Sequence, residues 1–265
     1  MNNIYECVVG KSNDEDITID VLKYPNLLVV GTTGSGKSVF IESLIASLLN
    51  KYDKKELNLA LIDIKLVEFS IFKNSKYLYE DALKGSIGLA NDENEALFLI
   101  NSLFHEAELR KKMFKTNNVK DFEEFNKNVK KREDLLTYHK LPLILLVVDE
   151  FVDLNYLNNK NKISTKLEEL LTIIEGTGIV AIVSSQSPKK DIFSKSFMDL
   201  FHIHVCFRLV TSRDSNLLLG NNDAIKLMGE GDGIIYNKKT NVKSHFQSSY
   251  ISWDDLKEII IRRNY

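Results

Sequence analysis

Along the chain, short continuous apolar blocks take turns with stretches of helical periodicity. The apolar blocks Leu27–Val30, Leu57–Ile62, Leu143–Val148, Ile179–Val183 and His204–Leu209 suit buried strands. Between them, apolar positions recur at helical spacing over Lys37–Leu49, Asn94–Thr116 and Ile163–Glu175. Apolar strands alternating with amphipathic helices predict an α/β fold, a mostly parallel sheet covered by helices on both faces. Two regions depart from this rhythm. From Arg110 to Lys140 the chain is densely charged, so a helical insert over about 94–140 is expected between the second and third strands. The stretch "GDGIIYNKKTNVKSHFQSSYI" alternates on either side of "NKKTN" and predicts a C-terminal β-hairpin. A short helix, "SWDDLKEIIIRR", should close the chain. Ser252 would be its N-cap, with Asp254 and Asp255 in its first turn and Arg262 and Arg263 in its last.

Composition narrows the picture. The chain has 265 residues and a formal net charge of -2, so a nucleic-acid partner would have to be met by a local basic patch. Cys7 and Cys206 are far apart and lack metal-ligand spacing, which suits a reducing interior. The N-terminal stretch is polar and acidic, unlike a signal peptide, and the longest purely aliphatic run is Leu143–Val148. A single cytoplasmic domain over 1–265 is therefore expected. Action at a membrane would need a recruiting partner.

The chemistry begins directly after the first apolar block. Gly31-Thr32-Thr33-Gly34-Ser35-Gly36-Lys37-Ser38 fits G-x-x-x-x-G-K-S/T at every fixed position, with a strand before it and a helix after it. Glycines let backbone N–H groups turn inward around phosphates, and the helix N-terminus adds positive potential. Lys37 is expected to reach the β- and γ-phosphates of ATP, and Ser38 to bind Mg²⁺.

"LPLILLVVDEFVDL" puts Asp149 and Glu150 at the end of an aliphatic strand, where ligands of open α/β sheets collect. Asp149 is assigned to the metal and Glu150 to activation of the attacking water. Gln186 ends the next strand, "GIVAIVSSQSP", and is expected to sense the γ-phosphate or the water. Asp63 and Lys65 end a further strand, where an ion pair or helix cap is as good a reading as a direct site role.

These segments, in this order, resemble the FtsK/SpoIIIE family of DNA translocase motors. The similarity is carried by "YPNLLVVGTTGSGKSVFIESLIASLL", "LIDIKLVEFSIF", "LPLILLVVDEFVDL", "GIVAIVSSQSP" and "CFRLVTSRDSNLLLGNNDAIKLMGEGDGII". The tail "HFQSSYISWDDLKEII" is similar as well. The resemblance implies a RecA-like motor that binds ATP and Mg²⁺, forms a hexameric ring and pumps double-stranded DNA. It also implies an arginine supplied to each site by the neighbouring subunit, for which Arg208, Arg213 and Arg110 are candidates. Positive charge for DNA phosphates is offered by Lys189, Lys190 and Lys195 in "SPKKDIFSKSF".

The chain departs from the family at several points. Ile64 replaces the proline of the family's I-D-P-K-x-x-E-L, and Ser187, Glu175 and His204 stand where members often carry arginine. The family's membrane anchor and winged-helix domain find no counterpart here, so a separate loading partner is expected. The alternatives keep the site and change its use: a conjugative coupling or type VII secretion ATPase, or a nucleotide-binding assembly subunit with little turnover.

Overall fold

The computed structural model describes residues 5–81, 85–86, 88–130, 139–156, 162–189 and 191–264. The N-terminal strands are β1 (Glu6–Ser12), β2 (Glu15–Asp20) and β3 (Asn26–Val30), followed by α1 (Lys37–Lys51) and β4 (Leu57–Ile62). A small antiparallel ladder, β5 (Glu80–Asp81) with β6 (Gly85–Ser86), precedes β7 (Leu89–Ala90), α2 (Glu93–Thr116) and α3 (Phe122–Lys130). Next come β8 (Leu143–Val148), α4 (Phe151–Tyr156), α5 (Lys162–Ile173), β9 (Ile179–Ser185), α6 (Lys195–Asp199) and β10 (Ile203–Phe207). The chain closes with α7 (Ser212–Leu219), β11 (Asp232–Asn237), β12 (Val242–Ser248) and α8 (Trp253–Asn264).

One ten-stranded sheet runs in the order β2-β1-β12-β11-β10-β3-β9-β8-β4-β7. From β10 to β7 every pairing is parallel; from β10 outward to β2 every pairing is antiparallel. The mostly parallel sheet and the C-terminal β-hairpin (β11–β12) match the pattern read from the sequence.

The parallel strands divide their side chains between two cores, as the strand period of two requires. Leu143, Leu145 and Val147 pack with α1 on one face, while Ile144, Leu146 and Val148 pack with α2 and α5 on the other. Continuous apolar runs are what such double burial demands.

Three features go beyond the sequence expectation. First, β1 and β2 form an antiparallel pair at the sheet edge, where one-sided burial of Cys7, Val9 and Ile19 leaves too little apolar signal to read. Second, β7 is only two residues long. Third, the helical insert expected over about 94–140 also builds the core: Ala96, Leu99, Ile100, Leu103 and Ala107 of α2 are fully buried. Apart from the buried Arg110, its charge lies off that face, and Asp92 caps its N-terminus by accepting from the N–H groups of Asn94 and Glu95. Lys131, Arg132 and Glu133, which contributed to the charged stretch, lie outside the described residues.

Candidate active site

β3 stops at Val30 and the chain turns through Gly31–Gly36 straight into α1. The loop is tied on both flanks. Gly31 N–H donates to Ser185 O at 3.1 Å, and Thr32 N–H to Arg208 O at 3.0 Å. Gly36 has φ 104°, and a Cβ there would lie 2.4 Å from Gly231 N, so only glycine lets this turn and the β11 turn approach. No side chain caps α1. Among the described residues, the N–H groups of Gly34, Gly36, Lys37 and Ser38 meet no protein acceptor, and Ser35 Oγ is buried without a partner. Unpaired donors at the positive end of a helix fit an anion such as the phosphates of a nucleotide.

Lys37 leaves the first turn of α1 and meets the ends of β8 and β9. Its Nζ lies 3.3 Å from Asp149 Oδ1, 3.8 Å from Glu150 Oε2 and 3.2 Å from Ser184 Oγ. Ser184 is the junction of this network. Its hydroxyl donates to Asp149 Oδ1 at 2.7 Å and accepts from Glu150 N–H at 3.2 Å. Glu150 has φ 44°, a strained value for a non-glycine residue, and strain of this kind gathers at functional sites. Its carboxylate accepts from Gln186 N–H at 3.0 Å and lies 3.3 Å from Ser185 Oγ. Burial pushes the Glu150 carboxyl above its ordinary range, against the opposing pull of that N–H and of Lys37. A buried, hydrogen-bonded carboxylate of raised basicity is suited to take a proton from water.

Two further acids belong to the site that single positions in the sequence did not reveal. Glu68 Oε1 accepts from Ser38 Oγ at 3.0 Å. Glu68 is the glutamate of the quoted "DIKLVEF" segment, so motif spacing held the signal. Asp63 shapes that segment by accepting from Lys65 N–H, Glu68 N–H and Phe69 N–H at 3.1, 2.9 and 3.0 Å. Lys65 pairs with Asp153 at 2.6 Å, the ion pair of the first reading, and Asp63 and Lys65 both line the same cavity. Glu42, one turn along α1 from Ser38, is buried; burial, with Glu68 and Asp149 nearby, pushes its carboxyl up to about 7. The donor set of Ser38, Asp149 and Glu68 is oxygen-only, which fits a hard cation such as Mg²⁺.

The remaining candidates separate. Gln186 is exposed and lines the cavity beside Asp149 and Glu150. Arg208 and Arg213 are exposed and form no ion pair among the described residues. Arg110 is withdrawn as a trans-acting candidate. It is 1% exposed, bonded to Glu106 at 2.7 Å and to Thr177 O at 3.0 Å, and cannot reach a neighbouring subunit. Lys189 and Lys195 are exposed beyond the end of β9; Lys190 lies outside the described residues.

The positions where arginine is missing are accounted for locally. Glu175 pairs with Lys239 at 3.3 Å, and His204 is buried with Nδ1 3.0 Å from Leu218 O. Ser187 accepts from Ser185 Oγ through its carbonyl at 3.0 Å.

A cavity of about 630 Å³ joins the phosphate loop, Glu68, Asp149, Glu150 and Gln186 and runs past Glu230 to Tyr250. This fold and phosphate loop are those of the P-loop class of α/β proteins. Solved structures share the fold: the conjugation coupling protein TcpA of pCW3, in monomer form with ATPγS, superposes with a TM-score of 0.82 at 22% identity, over 99% of this chain and 72% of that one. The cytoplasmic domain of the type VII secretion ATPase EccC from Thermomonospora curvata gives 0.75 at 19% identity, over 98% of this chain and 31% of that one.

The family is set by sequence. The FtsK/SpoIIIE family model matches residues 4–176, and the chain belongs to that family. DNA translocase FtsK of Clostridium tetani is 29% identical over 92% of this chain, and that of Borreliella burgdorferi 27% over 95%. In both cases the match spans 31% of the relative, so this chain corresponds to about a third of their length. Among the described residues no helix is long and apolar enough to cross a membrane.

Proposed function

We propose that the chain is an ATP-hydrolysing motor that moves double-stranded DNA through a ring of its own copies, with six subunits to the ring. The observation that carries the reading is the meeting of an uncapped phosphate loop with Lys37, Asp149 and Glu150, within 3.8 Å, in a chain of the FtsK/SpoIIIE family. Lys37 and the free loop N–H groups would hold the phosphates. Ser38, Asp149 and Glu68 would hold Mg²⁺, which offsets charge on the β- and γ-oxygens. Glu150 takes the proton of the attacking water, and the Gln186 amide at the cavity mouth orients that water. Arg208 is the candidate for transition-state charge at a neighbour's site. Lys189, Lys190 and Lys195 are candidates for DNA phosphate contacts.

The test is the ATPase rate with double-stranded DNA, single-stranded DNA, a candidate substrate protein, and no addition. The reading expects stimulation by double-stranded DNA that weakens as salt rises. A rate indifferent to DNA, from a protein that retains no DNA, overturns the translocase. Stimulation by a protein substrate alone assigns the motor to secretion.

A further inference from the structure

The order of strands fixes the direction in which a nucleotide must lie. The reactive groups Asp149, Glu150 and Gln186 follow β8 and β9, on one side of β3. β11 and β12 lie on the other side, beyond β10. With the terminal phosphate turned toward Glu150, the nucleoside has to leave the phosphate loop toward β11 and β12. The cavity does continue that way, and its wall there is built from Glu230, Gln247 and Tyr250.

Glu230 and Gln247 are tied to the loop through hydrogen bonds. Glu230 N–H donates to Gly34 O at 3.4 Å and Gly231 N–H to Ser35 O at 2.9 Å, so the β11 turn rests on the phosphate loop. Gln247 Nε2 donates to Glu230 O at 2.8 Å. Because a carbonyl only accepts, this bond fixes which way the amide is turned and leaves Gln247 Oε1 as an acceptor. Gly231 permits the arrangement, since a Cβ there would stand 2.7 Å from Gln247 Nε2. Tyr250 closes the wall. Tyr250 is 79% exposed and lines the cavity, an unusual place for a large aromatic side chain with no ring partner among the described residues.

We propose that Glu230, Gln247 and Tyr250 form the nucleoside subsite, an inference that rests on the nucleotide reading of the same cavity. Tyr250 stacks on the base, Gln247 Oε1 accepts from a 6-amino group, and the Glu230 carboxylate accepts from ribose hydroxyls. An acceptor at Oε1 faces the 6-oxo group of guanine with like polarity, so the subsite selects adenine over guanine nucleotides.

The test is binding of ATP, GTP and inorganic tripolyphosphate to the full chain, with Mg²⁺ and without DNA, for wild type, Tyr250→Ala and Gln247→Ala. Loss of one stacked ring should weaken ATP about tenfold and leave tripolyphosphate unchanged. Gln247→Ala should shrink the preference for ATP over GTP by about tenfold. Wild-type ATP affinity in Tyr250→Ala, or an equal loss for tripolyphosphate, overturns the subsite. Equal wild-type affinity for ATP and GTP overturns the selection. Failure of DNA to stimulate hydrolysis would sink the translocase and leave this inference standing, because the binding is read without DNA.

Discussion

Strands β3, β8, β9 and β10 are buried at every position, whereas β2 and β12 bury only scattered ones. The difference tracks the work of the two halves of the sheet. The parallel half carries Lys37, Asp149, Glu150 and Ser184, the groups that meet at the reacting end of the cavity. The antiparallel half carries no member of that network; it supplies the turn beneath the phosphate loop and the wall opposite the chemistry. Fully buried strands hold charged groups at fixed spacing because both faces are packed. A half-exposed hairpin is freer to vary in sequence, which suits it to a recognition surface.

The largest test of this division is Glu150→Gln. Removing the proton acceptor while keeping its shape should slow ATP hydrolysis by about 10²- to 10⁴-fold, with nucleotide binding retained. Single-turnover hydrolysis beside equilibrium binding checks this, and turnover near the wild-type rate would remove Glu150 as the base.

The halves share one seam. Phe40 of α1, Phe207 of β10 and Phe246 of β12 pack with ring centroids 5.6 to 6.0 Å apart. Phe246→Ala should cost about 3–5 kcal/mol, read from urea denaturation midpoints. A cost below about 1 kcal/mol would mean that the antiparallel strands are not part of the same core.

His204 sits on β10, the strand where parallel pairing gives way to antiparallel. Burial lowers its pKa from 6.5 to about 4. The unfolded chain therefore takes up a proton that the native state refuses. The native state holds its full advantage above about pH 6.5 and loses it as the pH falls toward 4. Between pH 7 and 5 the wild type should lose about 2 kcal/mol from this residue alone, a loss absent in His204→Leu. Matching pH slopes in the two proteins would contradict the burial.

The smallest effect is expected at Ser184→Ala, which removes the hydroxyl joining Lys37, Asp149 and the Glu150 N–H. The ATPase kcat should fall about tenfold with little change in stability. An unchanged kcat would show that Lys37 and Asp149 are held without it.

Much of the parallel half was legible in the sequence. Double burial imposes continuous apolar runs, and the phosphate loop demands glycine, lysine and serine at fixed intervals, so both leave marks in one dimension. "VVDE" could be placed at a strand end for the same reason. The edge pair β1–β2 left no such mark, because one-sided burial of a few residues resembles polar loop. The helical spacing of α2 was legible, but its charge misled at one residue, Arg110. A charged side chain reads as surface, yet Arg110 is buried and bonds Glu106 and Thr177 O inside the core.

By itself, then, the sequence determined the layer architecture, the family and the phosphate loop, because each is encoded in local periodicity or in fixed spacing. Only the tertiary structure decided which groups meet. Ser38 with Glu68, Lys37 with Ser184, Gly36 with Gly231 and Gln247 with Glu230 are joined through the sheet order, and strand order depends on long-range packing that no local stretch records.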